Sequence, residues 1–283
     1  MTNPATAAPD GPDDPSGSTP PRIDESVPQA ARRYNAFLGG KDNFAADRAS
    51  AARIEQEFPD VGIGARANRT FMHRAVRLLA EHGIVQFLDV GTGIPLDPNV
   101  HQIAQQVNPR ARVVYVDNDA VVLAHARALL TSGPDGDVAY LDADLRQPHT
   151  ILNNPALHRT LDLTQPVAVL LIAVLHFLSD HDDPHGIVAH LIGALPAGSF
   201  VAITHATTDF LAPDLAARAV AVSAASGIAM TFRTKTDVGR FFNGLHLLDP
   251  GVVPIADWHP DDDPALRPTP ERTAMYGAVA HIR

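Results

Sequence analysis

Apolar positions recur along this chain in two alternating periods, and each change of period marks an expected element. Between residues 66 and 82, Phe71, Ala75, Leu78 and Leu79 share one helical face, and Gly83 stands where a C-terminal cap belongs. Residues 85–90 are a short apolar run ending in VGTG, which predicts the first strand. Asp97 and Pro98 are placed to cap and open the next helix, with Val100, Ile103, Ala104 and Val107 on one face. Residues 112–116 form a second strand, Asp119 caps a helix through residue 130, and 138–141 form a third strand. Residues 167–172 are almost purely apolar and predict a central strand buried on both faces. Asp183 and Pro184 open another helix, 200–204 form a fifth strand, and helices follow at 213–226 and 236–242. The last two strands are expected near 245–253 and 275–282.

Strands alternating with helices predict the α/β class, with a doubly wound, mostly parallel sheet. Only a proline-rich acidic loop joins the final two strands, so that pair is predicted to run antiparallel. Residues 1–25 carry little that is large and apolar and are expected to be disordered. A helical segment is expected over 26–65 and the main domain over 66–283. Within the former, Gly39 and Gly40 stand side by side in YNAFLGGKDNF. Each would cost up to about 1 kcal/mol in a helix interior, so the pair predicts a bend.

Composition narrows the function. The 283 residues are 45% hydrophobic, enough for a sizeable core. No apolar run approaches the roughly 18 residues of a membrane span, and the N-terminus has no basic start followed by an apolar stretch. The chain has no cysteine, which excludes disulfides and thiolate metal sites and fits an expected cytoplasmic location. Its formal net charge of −10 speaks against a nucleic-acid substrate, because phosphate neutralisation needs a basic face.

Three strand ends carry candidate chemistry. FLDVGTGIP ends the first strand in a glycine-rich turn, where Gly91 and Gly93 permit a tight path and close approach of a ligand. Asp117 ends the second strand, placed to accept hydrogen bonds from a ribose diol; the competing reading is a cap, the role that Asp119 suggests for itself. Asp142 ends the third strand, where a carboxylate can receive an adenine amino group, with Asp144 as its rival. His176, Asp180, His181, Asp182, Asp183 and His185 are dense in potential metal ligands, but a solvated loop and a helix cap account for them, and no metal is expected.

Three acids ending successive strands, with glycines after the first, resemble the class I methyltransferases that use S-adenosylmethionine (SAM). Asp89, Gly91 and Gly93 match the strand-one signature of an acid followed by GxGxG, while Pro95 holds the third glycine position. ARRYNAFLGGKDNFAADR, with DLRQP, FFNGL, DPGVVP and DWHP, is similar to an actinobacterial family of SAM-dependent methyltransferases once catalogued as a domain of unknown function. The resemblance implies a Rossmann-like seven-stranded sheet with an antiparallel last strand. It also implies SAM as cofactor, held by Asp89, Gly91, Thr92, Gly93, Asp117, Asn118, Asp142, Ala143 and Ala173. It suggests that the bent N-terminal segment closes over the cofactor as a lid, with Tyr34 and Asn35 touching it. His176, just past the fourth strand, is the candidate general base, with a small molecule as methyl acceptor. Two rivals are a nicotinamide-dependent oxidoreductase, which normally shows a third glycine, and a SAM-binding protein without catalysis.

Overall fold

The computed structural model describes residues 23–261 and 263–283. Most of the expected unstructured tail, residues 1–22, lies outside them; residues 23–25 are exposed. In chain order the elements begin with α1 (Ala30–Phe37), α2 (Ala45–Glu57), α3 (Val61–Glu81), β1 (Gln86–Val90), α4 (Val100–Val107) and β2 (Arg112–Asp117). They continue with α5 (Ala120–Leu129), β3 (Asp137–Asp142), α6 (Pro148–Leu152), α7 (Pro155–Thr160), β4 (Ala168–Ile172), α8 (Pro184–Gly193) and β5 (Phe200–Ala206). Last come α9 (Pro213–Ala225), α10 (Lys235–Arg240), β6 (His246–Leu247), β7 (Val253–Pro254), α11 (Pro270–Thr273) and β8 (Met275–His281).

The strand order is β3-β2-β1-β4-β5-β8-β6, with β7 also on β8. The chain builds outward from β1 through β2 to β3, then returns to lay β4 against the other side of β1. That reversal is a topological switch point, and crevices for ligands open there beyond the carboxyl ends of the strands. The pleat divides the core in two. Leu88, Val114, Val169 and Leu171 face the core completed by α6, α7 and α8. Phe87, Val113, Ala168 and Leu170 face the core completed by α3 and α4.

β8 runs antiparallel to β5, from Phe200↔His281 to Ala206↔Met275. The single strand expected over 245–253 is instead two short ladders, β6 and β7, both on the other edge of β8. Pro250 between them has no N–H to give and Gly251 has φ +80°, so the ladder breaks and resumes. Eight strands therefore occupy seven positions, a correction to the expected count that leaves the order of layers unchanged.

Two helix starts also differ from expectation. α3 begins at Val61 rather than at residue 66, so the boundary expected between 65 and 66 falls inside a continuous helix. α4 begins after Asn99 rather than at Asp97, because Gln102 Oε1 accepts from Asn99 N at 2.5 Å and closes the first turn there. Asp119 does cap α5, accepting from Val121 N at 2.9 Å, and Asp183 caps α8.

The glycine pair bends the chain between α1 and α2. Gly39 sits at φ +77°, and a Cβ on Gly40 would run into the Asn35 amide. Asn43 Nδ2 donates to Asn35 Oδ1 at 2.8 Å, which locks the corner. Asp47, fully buried, accepts from Gln29 N and Phe44 N and lies 3.7 Å from Arg32, so one carboxylate joins both helices. Among the described residues no helix is long and apolar enough to cross a membrane.

Candidate functional site

A cleft of about 500 Å³ opens at the switch point, within the range of small-molecule sites. Its floor is the turn after β1. Gly91 adopts φ +78° and donates its N–H to Val116 O at 2.8 Å. A Cβ there would stand 2.5 Å from Val174 Cγ2, so both the backbone angle and the neighbour require glycine. Gly93, at φ +70°, donates to Asp117 Oδ2 at 2.8 Å, and Asp119 N donates to Asp117 Oδ1 at 2.9 Å. The carboxylate ending β2 thus holds the β1 turn in place while facing the cleft. Thr92 Oγ1 closes the turn onto Asp89 O at 3.0 Å. Ala173, just past β4, takes φ +55° and donates to Thr204 Oγ1 at 2.8 Å.

Of the residues expected to hold a cofactor, Tyr34, Asp89, Gly91, Thr92, Gly93, Asp117, Asn118, Ala143 and Ala173 line this one cleft. Asp142, Asn35 and His176 do not. Asp142 is exposed at the end of β3, and the cleft wall is taken two residues later by Asp144. The chain turns inward only after the strand, where Asp144 accepts from Asn118 Nδ2 at 3.2 Å and from Arg146 N at 2.8 Å. Asn35 is spent on the α1–α2 corner, whereas Tyr34 faces the cleft with its hydroxyl donating to Ala65 O at 2.8 Å.

Asn68, Arg69 and Met72 of α3 also line the cleft, and sequence reasoning missed them. Their signal was polar residues on the inward stripe of a helix read as purely structural. Arg69 is held by the carbonyls of Leu96 and Pro98.

The electrostatics are unusual for acids. Burial pushes Asp89 up to about 7; the Thr92 hydroxyl and Arg69 work against that shift, while Asp117 adds to it. Burial likewise pushes Asp117 up to about 6 against the pull of the N–H groups that it accepts. Two desolvated carboxylates and one guanidinium therefore share a small volume, a set that suits a ligand carrying positive charge, a carboxylate and a diol.

A second cavity of about 140 Å³ adjoins the first. Ala30, Tyr34, Ala173 and Phe177 line both and form the wall between them. His176 lines this second space: the residue is 4% exposed, and its ring packs on Phe177 at 4.4 Å and meets His205 edge-on at 5.7 Å. Its Nδ1 has no hydrogen-bond partner among the described residues. Burial, with His205, Arg33 and Arg233 nearby, holds the imidazole well below its ordinary pKa, so it is neutral at pH 7.

The chain matches a family described as S-adenosyl methyltransferase over residues 16–283. It is similar to a solved DUF574 family protein from Streptomyces avermitilis, 47% identical, covering 93% of this chain and 100% of that one with a TM-score of 0.89. It is also similar to a proposed methyltransferase from Thermobifida fusca, 39% identical, covering 95% and 100% with a TM-score of 0.81. No match to a curated protein was found. With a glycine turn and acidic strand ends converging on one cleft, and with the match spanning nearly the whole sequence, the chain belongs to the S-adenosyl methyltransferase family and is a SAM-dependent methyltransferase.

Proposed function

We propose that the larger cleft holds SAM and that the smaller cavity receives a small-molecule methyl acceptor beside His176. The observation that carries this reading is the shared wall of Ala30, Tyr34, Ala173 and Phe177, with an unpartnered buried imidazole nitrogen just beyond it. SAM supplies an already activated methyl group on its sulfonium, so the chain's own task is alignment and exclusion of water. Asp117 receives the ribose hydroxyls, Asp144 rather than Asp142 stands on the adenine side, Asp89 faces the cationic amino-acid portion, and Arg69 its carboxylate. α1 roofs both spaces with Ala30 and Tyr34. The acidic net charge and the small second cavity favour a metabolite over a nucleic acid.

His176 takes a proton from the acceptor or holds it by a hydrogen bond. His176→Ala should therefore lower turnover by about 100-fold, the usual contribution of a positioned base, while affinity for S-adenosylhomocysteine changes less than about twofold. Product formation from fractionated metabolite extracts gives the first quantity and calorimetry the second. Loss of cofactor affinity with normal turnover per bound cofactor would assign the ring to the cofactor side instead.

The raised carboxylates make a pH prediction. With folded values near 7 and 6 against an ordinary 3.8, Asp89 and Asp117 bind more protons in the folded chain than in the unfolded one across that window. The unbound protein should thus lose stability as pH rises from about 4 to 7 through these two groups. A cationic ligand needs Asp89 ionised, so binding must expel protons. Calorimetry of S-adenosylhomocysteine at pH 6, in two buffers of different ionisation enthalpy, should show net proton release. Proton uptake would contradict the placement of the ligand's charge.

A further inference from the structure

We infer that the cavity beside His176 takes a ring-sized acid, a carboxylic acid or a phenol, whose ionised oxygen pairs with Arg33. The inference rests on the reading of that cavity as the acceptor site and adds the chemical class of the acceptor.

Size and lining set the first limit. Phe37, Ile54, Phe58, Leu211, Met230 and Phe232 give the cavity an apolar wall. Its volume of about 140 Å³ is close to the ~150 Å³ at which an apolar cavity holds a single benzene ring. A nucleotide or a fused polycycle would not enter without displacing α1 or α9.

Charge sets the second. Arg33 lines this cavity and is 2% exposed. Its Nη1 donates to Ser226 Oγ at 2.8 Å, and at 3.5 Å to Ser50 Oγ and Ile228 O. Among the described residues no carboxylate pairs with it, and the hydrogen bonds of its guanidinium all come from Nη1. The contrast with its neighbour is direct: Arg32 lies 3.2 Å from Asp119 and 3.7 Å from Asp47. The acids at the rim do not serve Arg33. Asp60 is paired with Arg272 at 3.0 Å, and Glu271 is exposed. A buried guanidinium facing apolar walls is costly without a counter-ion, and burial alone draws Arg33 down to about 10. A second polar residue is at hand, since His176, whose Nδ1 has no partner among the described residues, lines the same cavity. An anion on a ring gives the guanidinium the counter-ion it lacks, and the ring fills the rest of the space. An amine would set a second cation beside Arg33, and a neutral alcohol would leave the guanidinium uncompensated.

The test uses the full chain saturated with S-adenosylhomocysteine and four probes: benzoate, phenol, benzyl alcohol and benzylamine, titrated by calorimetry and ligand-observed NMR. Benzoate or phenol should bind at least tenfold more tightly than benzyl alcohol and benzylamine, and whichever of the two acids binds more tightly identifies the acid. Arg33→Gln should weaken that binding at least tenfold and Arg33→Lys should restore part of it, with S-adenosylhomocysteine affinity within twofold of the parent. Equal binding of benzyl alcohol, preference for benzylamine, or no binding of any probe to the saturated chain overturns the inference while leaving the cofactor site standing. So does an Arg33→Gln protein that keeps full affinity for the acid. Should that variant fail to fold, the probe ranking on the parent chain still decides. Failure of S-adenosylhomocysteine itself to bind would instead overturn the reading of the larger cleft.

Discussion

Gly91→Ala should reduce SAM affinity by more than about 100-fold, whereas Gly93→Ala should cost about tenfold. Both glycines have positive φ, at +78° and +70°, so either alanine meets the left-handed penalty of roughly 1–2 kcal/mol. Only Gly91 adds a collision. Its new Cβ would lie 2.5 Å from Val174 Cγ2 and 2.7 Å from Val174 Cβ, while nothing stands within 4 Å of a Cβ on Gly93. Val174 follows Ala173 on the cleft wall, so relief of the clash pushes that wall out of place. At about 1.4 kcal/mol per factor of ten, the backbone penalty alone accounts for the Gly93 effect and the collision for the excess at Gly91. Calorimetry with S-adenosylhomocysteine reads both. Equal losses in the two variants would show that Val174 yields and that backbone angle alone matters.

The second large effect separates two neighbouring carboxylates. Asp117→Ala should lower SAM affinity by a factor between about 10 and 100, because hydrogen bonds to a charged acceptor contribute roughly 1.5–3 kcal/mol. The variant also removes the anchor for Gly93 N, which loosens the turn under the ligand. Asp119→Ala should act on stability. It deletes the α5 cap, worth about 1 kcal/mol, and among the described residues it leaves the buried Arg32 with Asp47, at 3.7 Å, as its one carboxylate. Breaking one side of a buried ion pair costs several kcal/mol when no partner is left; with Asp47 remaining, a total of about 3 kcal/mol is expected. That corresponds to a melting temperature lower by roughly 5 °C for a chain of this size. Thermal melts and calorimetry on the two variants decide the matter. An exchange of phenotypes would mean that Asp119, which also lines the cleft, is the ribose acceptor.

Most of the sheet was legible in the sequence because its strands are apolar runs bounded by turn residues, and such runs can be satisfied only in a buried ladder. β1 to β5 and β8 lie where periodicity placed them, within a few residues. The turn after β1 was legible too, since glycines directly after a buried strand announce a backbone path that other residues resist. Short-range signals erred where two local solutions compete over a few residues. Asp97-Pro98 and Asn99-Gln102 both offer a helix start, and reciprocal bonding at Asn99 prevailed. Asp142 and Asp144 both follow the strand, and only the direction of the chain after β3 turns one of them into the cleft.

What the sequence determined by itself is the class of fold, the switch-point turn at Gly91 and Gly93, and the acid at Asp117: each is set by residues adjacent in the chain. The tertiary structure decided everything that depends on residues distant in sequence sharing one space. It put His176 in a second cavity beyond the wall of the larger cleft, because the turn after β4 carries that residue past Ala173 toward β5 and His205. It assigned Asn35 to the helix corner and Tyr34 to the cleft, a difference of one position on α1 that only packing against α3 can settle. Among the described residues it also left Arg33 without a carboxylate while giving its neighbour Arg32 two. In sequence the two arginines are equivalent; their partners lie on α2, before α5 and after α9, and only folding brings those segments together.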